Sequence, residues 1–186
     1  GMIRDDVPFD QILYGDFIYV GNDALVEAKT IAAYSPENNN HYRDMESRFI
    51  GLKENLVRKN HTSLNEVTDN AGVITTRAFA ESYFQAGTNR RATRFLFKVF
   101  ACYDFEDLKD TTRPDFRVRR DVDRQPGGDA RTYRNRCAGC HAGQDGFGGA
   151  WAYFDWNGKR ITHTPGVVVS KMNHNVLFTQ GHVTTD

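Results

Sequence analysis

The run Arg136-Cys137-Ala138-Gly139-Cys140-His141 constrains this chain more than any other stretch, because Cys-x-x-Cys-His is the attachment sequence of a c-type haem. Two thiols three positions apart reach the two vinyl groups of one porphyrin as thioethers, and the next residue offers an imidazole to the iron. A thioredoxin-like redox pair uses Cys-x-x-Cys beside a βαβ pattern, and no such pattern precedes Cys137. Structural zinc would need a second Cys or His pair at knuckle spacing, but His163 and His174 are eleven positions apart. Two buried cysteines beside a surface histidine, the plainest alternative, leave the joint spacing without a reason. The expectation is therefore one covalent haem c, held by Cys137 and Cys140, with His141 as the proximal iron ligand.

The opposite iron ligand has four downstream candidates, His163, Met172, His174 and His182, at 22, 31, 33 and 41 residues after His141. Met172 follows the short apolar run Val167-Val168-Val169 and is the expected distal ligand, with His174 the second choice. Methionine would raise the reduction potential, whereas a second histidine would lower it.

Charge is balanced at 24 basic and 24 acidic residues, so no global field points to nucleic acid or to a membrane surface. No run approaches the roughly 18 apolar residues of a membrane span. Covalent haem attachment in bacteria belongs to the exported side of the membrane, which leads us to expect a periplasmic or extracellular protein. The opening Gly1-Met2-Ile3-Arg4-Asp5-Asp6 does not read as a leader, so these residues are expected to be a mature or excised part of a longer precursor.

Periodicity predicts a mainly α chain. A helical N-terminal portion, 1–125, leads into a small cytochrome c-like haem-binding portion, 126–186, with long irregular connections. Pro8 can open a helix in the apolar run from Val7 to Val20, which Gly15 splits. Asn22 or Asp23 can cap a helix reaching Ala33. Met45, Phe49, Leu52 and Leu56 recur at helical spacing, predicting one amphipathic helix from His41 to Lys59, and Ser63 to Glu66 fits a capping box. Thr75 or Thr76 can cap a helix to Ala86 that Gly87 stops. Thr88 then starts another, with Ala92, Phe95, Leu96, Val99, Phe100 and Tyr103 predicted to be the best-buried face of the N-terminal portion. Cys102 in that helix is expected to be packing, and His41 and His61 are expected at the surface.

Residues 104–129 are charged and nearly devoid of aliphatics, as befits a surface connection. Eight Arg stand against four Asp between Arg113 and Arg136; some could pair with haem propionates or dock an acidic partner, although a solvated face with internal Arg-Asp pairs is the simpler reading. Asp129 can cap a short helix delivering Cys137. The glycines that follow, Gly139 to Gly149, are expected to form a turn passing close to the ring, with Phe147, Trp151, Tyr153, Phe154 and Trp156 against the porphyrin or in the core.

Residues 137–160, CAGCHAGQDGFGGAWAYFDWNGKR, resemble the haem segment of the uncharacterised domains associated with planctomycete-type cytochromes. Asp145, Gly148, Phe154, Asp155 and Gly158 fall at that family's spacings, while Gly146 replaces its usual Pro and Ala152 its acidic residue. Gly72-Val73-Ile74-Thr75 and the segment from Arg90 to Lys98 are similar to further family segments; Pro8-Phe9 through Tyr19 is more weakly so. The resemblance implies a mostly helical, extracytoplasmic haem protein, commonly one segment of a larger polypeptide, and implies no substrate.

Three functions follow as expectations. The first is a monohaem c-type cytochrome in single-electron transfer, exchanging electrons with a redox partner protein or a neighbouring haem domain. The second is a haem peroxidase-like enzyme with an open distal site. The third is a non-redox binding or assembly module.

Overall fold

A computed structural model describes residues 1–84, 90–107 and 123–167. These fall into two compact units. Unit 1 comprises 1–82 with 156–163; unit 2, among the described residues, comprises 83–155 with 164–167.

Unit 1 is built on an antiparallel pair, β1 (Phe17–Gly21) and β2 (Leu56–Asn60), in register from Phe17 opposite Asn60 to Gly21 opposite Leu56. Phe17-Ile18-Tyr19-Val20 is a β-branched and aromatic run, which suits a pleated half-buried surface better than a helix. Short helices surround the pair: α1 (Gln11–Tyr14), α2 (Asp23–Glu27), α3 (Asn40–Ser47), α4 (Leu52–Asn55) and α5 (His61–Asn65), followed by α6 (Arg77–Tyr83). Val20, Ile31, Met45 and Val67 supply its buried apolar core.

The mainly α expectation is overturned. The described residues are mixed, about 52% helix and 11% strand, with two two-stranded sheets among them, the second formed by β3 (Phe154–Trp156) and β4 (Ile161–His163). The single helix expected from His41 to Lys59 stops at Ser47, because Phe49 turns left-handed at φ +52°. The amide of Ile50 donates to the Met45 carbonyl at 3.0 Å and that of Phe49 to the Glu46 carbonyl at 3.0 Å, a Schellman closure. Helix α2 ends the same way on Lys29 at φ +54°, short of Ala33. Glycine normally marks such a stop; here Phe and Lys occupy it and the sequence gives no warning.

Caps fared better. Asn22 accepts from the Leu25 amide, Thr76 from the Phe79 amide and Asp129 from the Arg131 amide. The Ser63–Glu66 pattern is not a capping box, since Asn60 caps α5 by accepting from the Ser63 amide. Residues Ala86, Gly87 and Thr88 lie outside the described residues.

His41 and His61 are both buried, not superficial. The His41 ring accepts at Nε2 from the Gly21 amide at 2.8 Å and donates from Nδ1 to the Ala32 carbonyl at 2.7 Å. The His61 ring meets Asn65 Nδ2 through Nε2, and Asn65 Oδ1 accepts from Tyr34 at 2.6 Å. Both rings thus serve to close backbone and side-chain hydrogen bonds inside unit 1.

Unit 2 holds α7 (Arg90–Phe100), a 3₁₀ turn at Phe105–Asp107, α8 (Ala130–Thr132) and α9 (Ala138–Phe147). In α7 only Ala92 and Thr93 are buried, while Val99, Phe100 and Tyr103 are exposed, so its apolar face is less covered than its periodicity predicts. Cys102 is exposed as well, at φ +52° just beyond the helix.

Two predictions follow from unit 1. Phe49 is 94% exposed, so Phe49→Gly loses little packing and relieves left-handed backbone; denaturant titration should show a gain of about 0.5–1 kcal/mol, and a loss would contradict the assigned conformation. Burial pushes the His61 imidazole down from its ordinary 6.5 to about 4, with Asp16 opposing. The unfolded ring takes up a proton at higher pH than the folded one, so stability is intact above the unfolded value and drains away as pH falls toward the folded one. The loss amounts to about 3 kcal/mol at most, and a flat unfolding midpoint in the part of that window above the carboxylate range would refute it.

Candidate haem-attachment site

The cysteine motif lies on a continuous run of helical backbone. Asp129 caps it, α8 begins it, a π-helical turn spans Tyr133–Cys137, and α9 completes it. A π turn commonly marks a functional position within a helix. The glycines expected to form a turn, Gly139, Gly143 and Gly146, are inside α9 instead. At about 100° per residue, Cys137, Cys140 and His141 fall within an arc of about 100°, so one helix face carries all three.

That face is anchored to the rest of unit 2 through its next turn. Gln144 donates from Nε2 to the Arg90 carbonyl at 2.9 Å. Asp145, whose side chain is 0% exposed, accepts from Arg90 Nε at 2.5 Å and Nη2 at 3.3 Å. A buried carboxylate needs such a charged partner, and the two-pronged guanidinium fixes its orientation. Beyond this clamp, the Phe147 ring stands 4.8 Å from Phe97, and Phe97 lies 4.9 Å from the buried Phe105. Tyr133, Ala138 and Ala142 form a small buried cluster against which Cys137 packs.

Cys137 and Cys140 are both free and half-buried. Burial pushes the Cys140 thiol up from its ordinary value; Arg94 opposes this, and Glu106, Asp104 and Asp145 add to it. The Cys140 Sγ donates to Gln144 Oε1 at 3.8 Å. A thiol held protonated in this way is a poor redox nucleophile. Arg94 itself is held by Asp104 at 2.9 Å and Glu106 at 2.8 Å, with Lys98 also on Asp104 at 3.1 Å.

His141 has two different edges. Its Nδ1 is buried, lacks a hydrogen-bond partner and stands 3.5 Å from Asp145 Oδ2. The ring remains 25% exposed, and its Nε2 is not among the buried unpaired atoms. A histidine that binds a metal through one nitrogen commonly gives its other N–H to a carboxylate. The donor set therefore fits a covalently held haem: two half-buried sulfurs and an imidazole with an accessible nitrogen on one helix face.

Among the described residues no three of His, Cys, Asp and Glu converge as a metal group, so a zinc knuckle finds no support there. The strand pairs among the described residues are two two-stranded sheets, which gives a thioredoxin-like βαβ unit no support there either. His163, one distal candidate, bonds through Nδ1 to Thr68 Oγ1 at 3.1 Å in unit 1. Met172, His174 and His182 lie outside the described residues.

Trp151 and Phe154 are core residues, with Trp151 at 5.2 Å from Phe84 and 6.0 Å from Phe154. Trp156 belongs to unit 1, beneath the Arg77 guanidinium at 5.3 Å. Of the arginines ahead of the motif, Arg113, Arg117, Arg119 and Arg120 lie outside the described residues, Arg131 pairs with Asp129 at 2.9 Å and Arg124 lies over the Tyr133 ring at 5.0 Å. Sequence reasoning missed Arg90 and Gln144 as supports. The signal for Asp145 was present in its spacing of four from His141, but Arg90 is 55 residues away and carried none.

No protein-family model, curated protein or solved structure matches this chain. No helix among the described residues is long and apolar enough to cross a membrane.

Removing one partner of the clamp leaves a charge in an apolar setting. Asp145→Ala is expected to destabilise unit 2 by about 3 kcal/mol in denaturant unfolding, since Arg90 keeps some access to water. A change within experimental scatter would show that the clamp does not hold the helix.

Proposed function

We propose that this chain is a monohaem c-type cytochrome acting in single-electron transfer, as one part of a larger periplasmic or extracellular redox protein or assembly. What supports the reading above all is the disposition of His141, with Nδ1 turned inward beside a buried carboxylate and Nε2 left accessible on the face that carries Cys137 and Cys140. The resemblance to the planctomycete-type haem segment agrees with it.

In this reading Cys137 and Cys140 tether the porphyrin and His141 binds iron. Haem, when bound, supplies a one-electron couple. The residues of the chain do the rest: the helix from Asp129 to Phe147 fixes the spacing of the three attachment groups, and the Arg90–Asp145 clamp holds that helix in place. Met172 is the proposed distal ligand and His174 its alternative. Electrons would pass to a redox partner protein or a neighbouring haem domain. A haem peroxidase-like enzyme with an open distal site is the second reading, favoured by the carboxylate behind His141, which makes the imidazole a stronger donor.

The experiment is expression in a host competent for cytochrome c maturation. Haem staining should survive denaturing electrophoresis, and the polypeptide mass should rise by one haem. Cys137→Ala with Cys140→Ala should abolish covalent attachment, and His141→Ala should keep the pigment while changing its spin state. Low-spin bands indifferent to cyanide would favour electron transfer, and a high-spin ferric form that binds cyanide quickly would favour catalysis. A colourless polypeptide of unaltered mass would overturn the proposal.

A further inference from the structure

We infer that Asp145, clamped by Arg90, is the positioning residue that fixes the ring of His141 and draws the reduction potential of the bound haem down. The inference rests on the reading of His141 as an iron ligand and adds to it a residue that touches neither iron nor porphyrin.

Three observations converge. The Asp145 carboxylate is fully buried and cannot swing, because Arg90 holds both its oxygens and Gln144, its neighbour in sequence, is tied to the Arg90 backbone. Asp145 follows His141 by one helical turn, so the two side chains lie on adjoining positions of one face. His141 Nδ1 is buried, has no hydrogen-bond partner and is 3.5 Å from Asp145 Oδ2. A shift of about 0.6 Å would bring that pair to hydrogen-bond distance, well within a side-chain torsion.

Metal binding through Nε2 forces the imidazole proton onto Nδ1 and makes that atom a donor. The Asp145 carboxylate, 3.5 Å away, is the acceptor on hand. A charged acceptor raises the electron-donating power of the ring and favours the oxidised metal. Arg90 shares the carboxylate charge and moderates the effect, so the pair works as a set rather than as an isolated anion. Without Asp145 the Nδ1–H would remain a buried unpaired donor.

The test uses the haem-loaded protein and reads its reduction potential by spectroelectrochemistry. Asp145→Asn keeps shape and removes charge; we expect a tenfold shift of the oxidation equilibrium toward the reduced form, about 59 mV upward for a one-electron couple, with haem still covalently attached. A second measurement needs no variant: in the reduced wild-type protein, NMR should show a slowly exchanging His141 Nδ1 proton coupled to the Asp145 carboxylate. An unchanged potential in Asp145→Asn, or a His141 Nδ1 proton that exchanges freely in the wild type, would overturn the inference while leaving haem attachment standing. Absence of covalent haem in the wild type would remove both.

Discussion

The ion pair between the partly exposed Arg90 and the buried Asp145 is what the arrangement of unit 2 depends on. Alone, such a pair is a weak source of stability, since the cost of taking two charges out of water offsets most of their attraction. Its value lies in direction. The guanidinium meets the carboxylate with two nitrogens, Gln144 donates to the backbone carbonyl of the same arginine, and the helix carrying Gln144 and Asp145 is thereby fixed in rotation as well as position. An apolar contact could hold the helix at the same distance but would allow it to slide or turn. Phe147 against Phe97 supplies that less directional part.

Helical rotation matters because it sets the face on which Cys137, Cys140 and His141 lie. Cys137, Cys140 and His141 share an arc with Gln144 and Asp145, so the residues that dock the helix and those that would serve a cofactor are interleaved. The halves of His141 divide accordingly, Nδ1 toward the clamp and Nε2 away from it. The π turn leads into α9, and its two ends, Tyr133 and Cys137, both meet the buried cluster that Ala138 and Ala142 complete.

The grouping of Cys137, Cys140 and His141 on one helix face was legible because it is local: residues spaced three and four apart share a face of any helix. The capping residues Asn22, Thr76 and Asp129 were legible for the same reason, since a cap bonds an amide two or three positions away. The sheet was not. Met45, Phe49, Leu52 and Leu56 satisfy a helical repeat, and only the left-handed turn at Phe49 reveals that the chain leaves the helix, passes through a short turn and becomes β2. Buried histidines were missed because polar neighbours in sequence say little about partners in space; His41 is satisfied by Gly21 and Ala32, twenty and nine positions away.

The same distinction separates the two ends of the imidazole. What faces Nδ1 is decided within one turn of α9 and needs only Asp145 to be held still, which Arg90 does. If Nε2 takes the iron of a haem, what fills the opposite position on that iron must come from elsewhere in the chain or from outside it. An exchange of electrons alone would ask that this second position be filled by a strong-field ligand such as Met172 or His174, whereas catalysis would ask that it stay open. With haem bound, the carboxylate behind His141 would bias the couple in the same direction in both cases, so the choice between carrier and enzyme would rest on the far side of the iron and not on the helix that presents it.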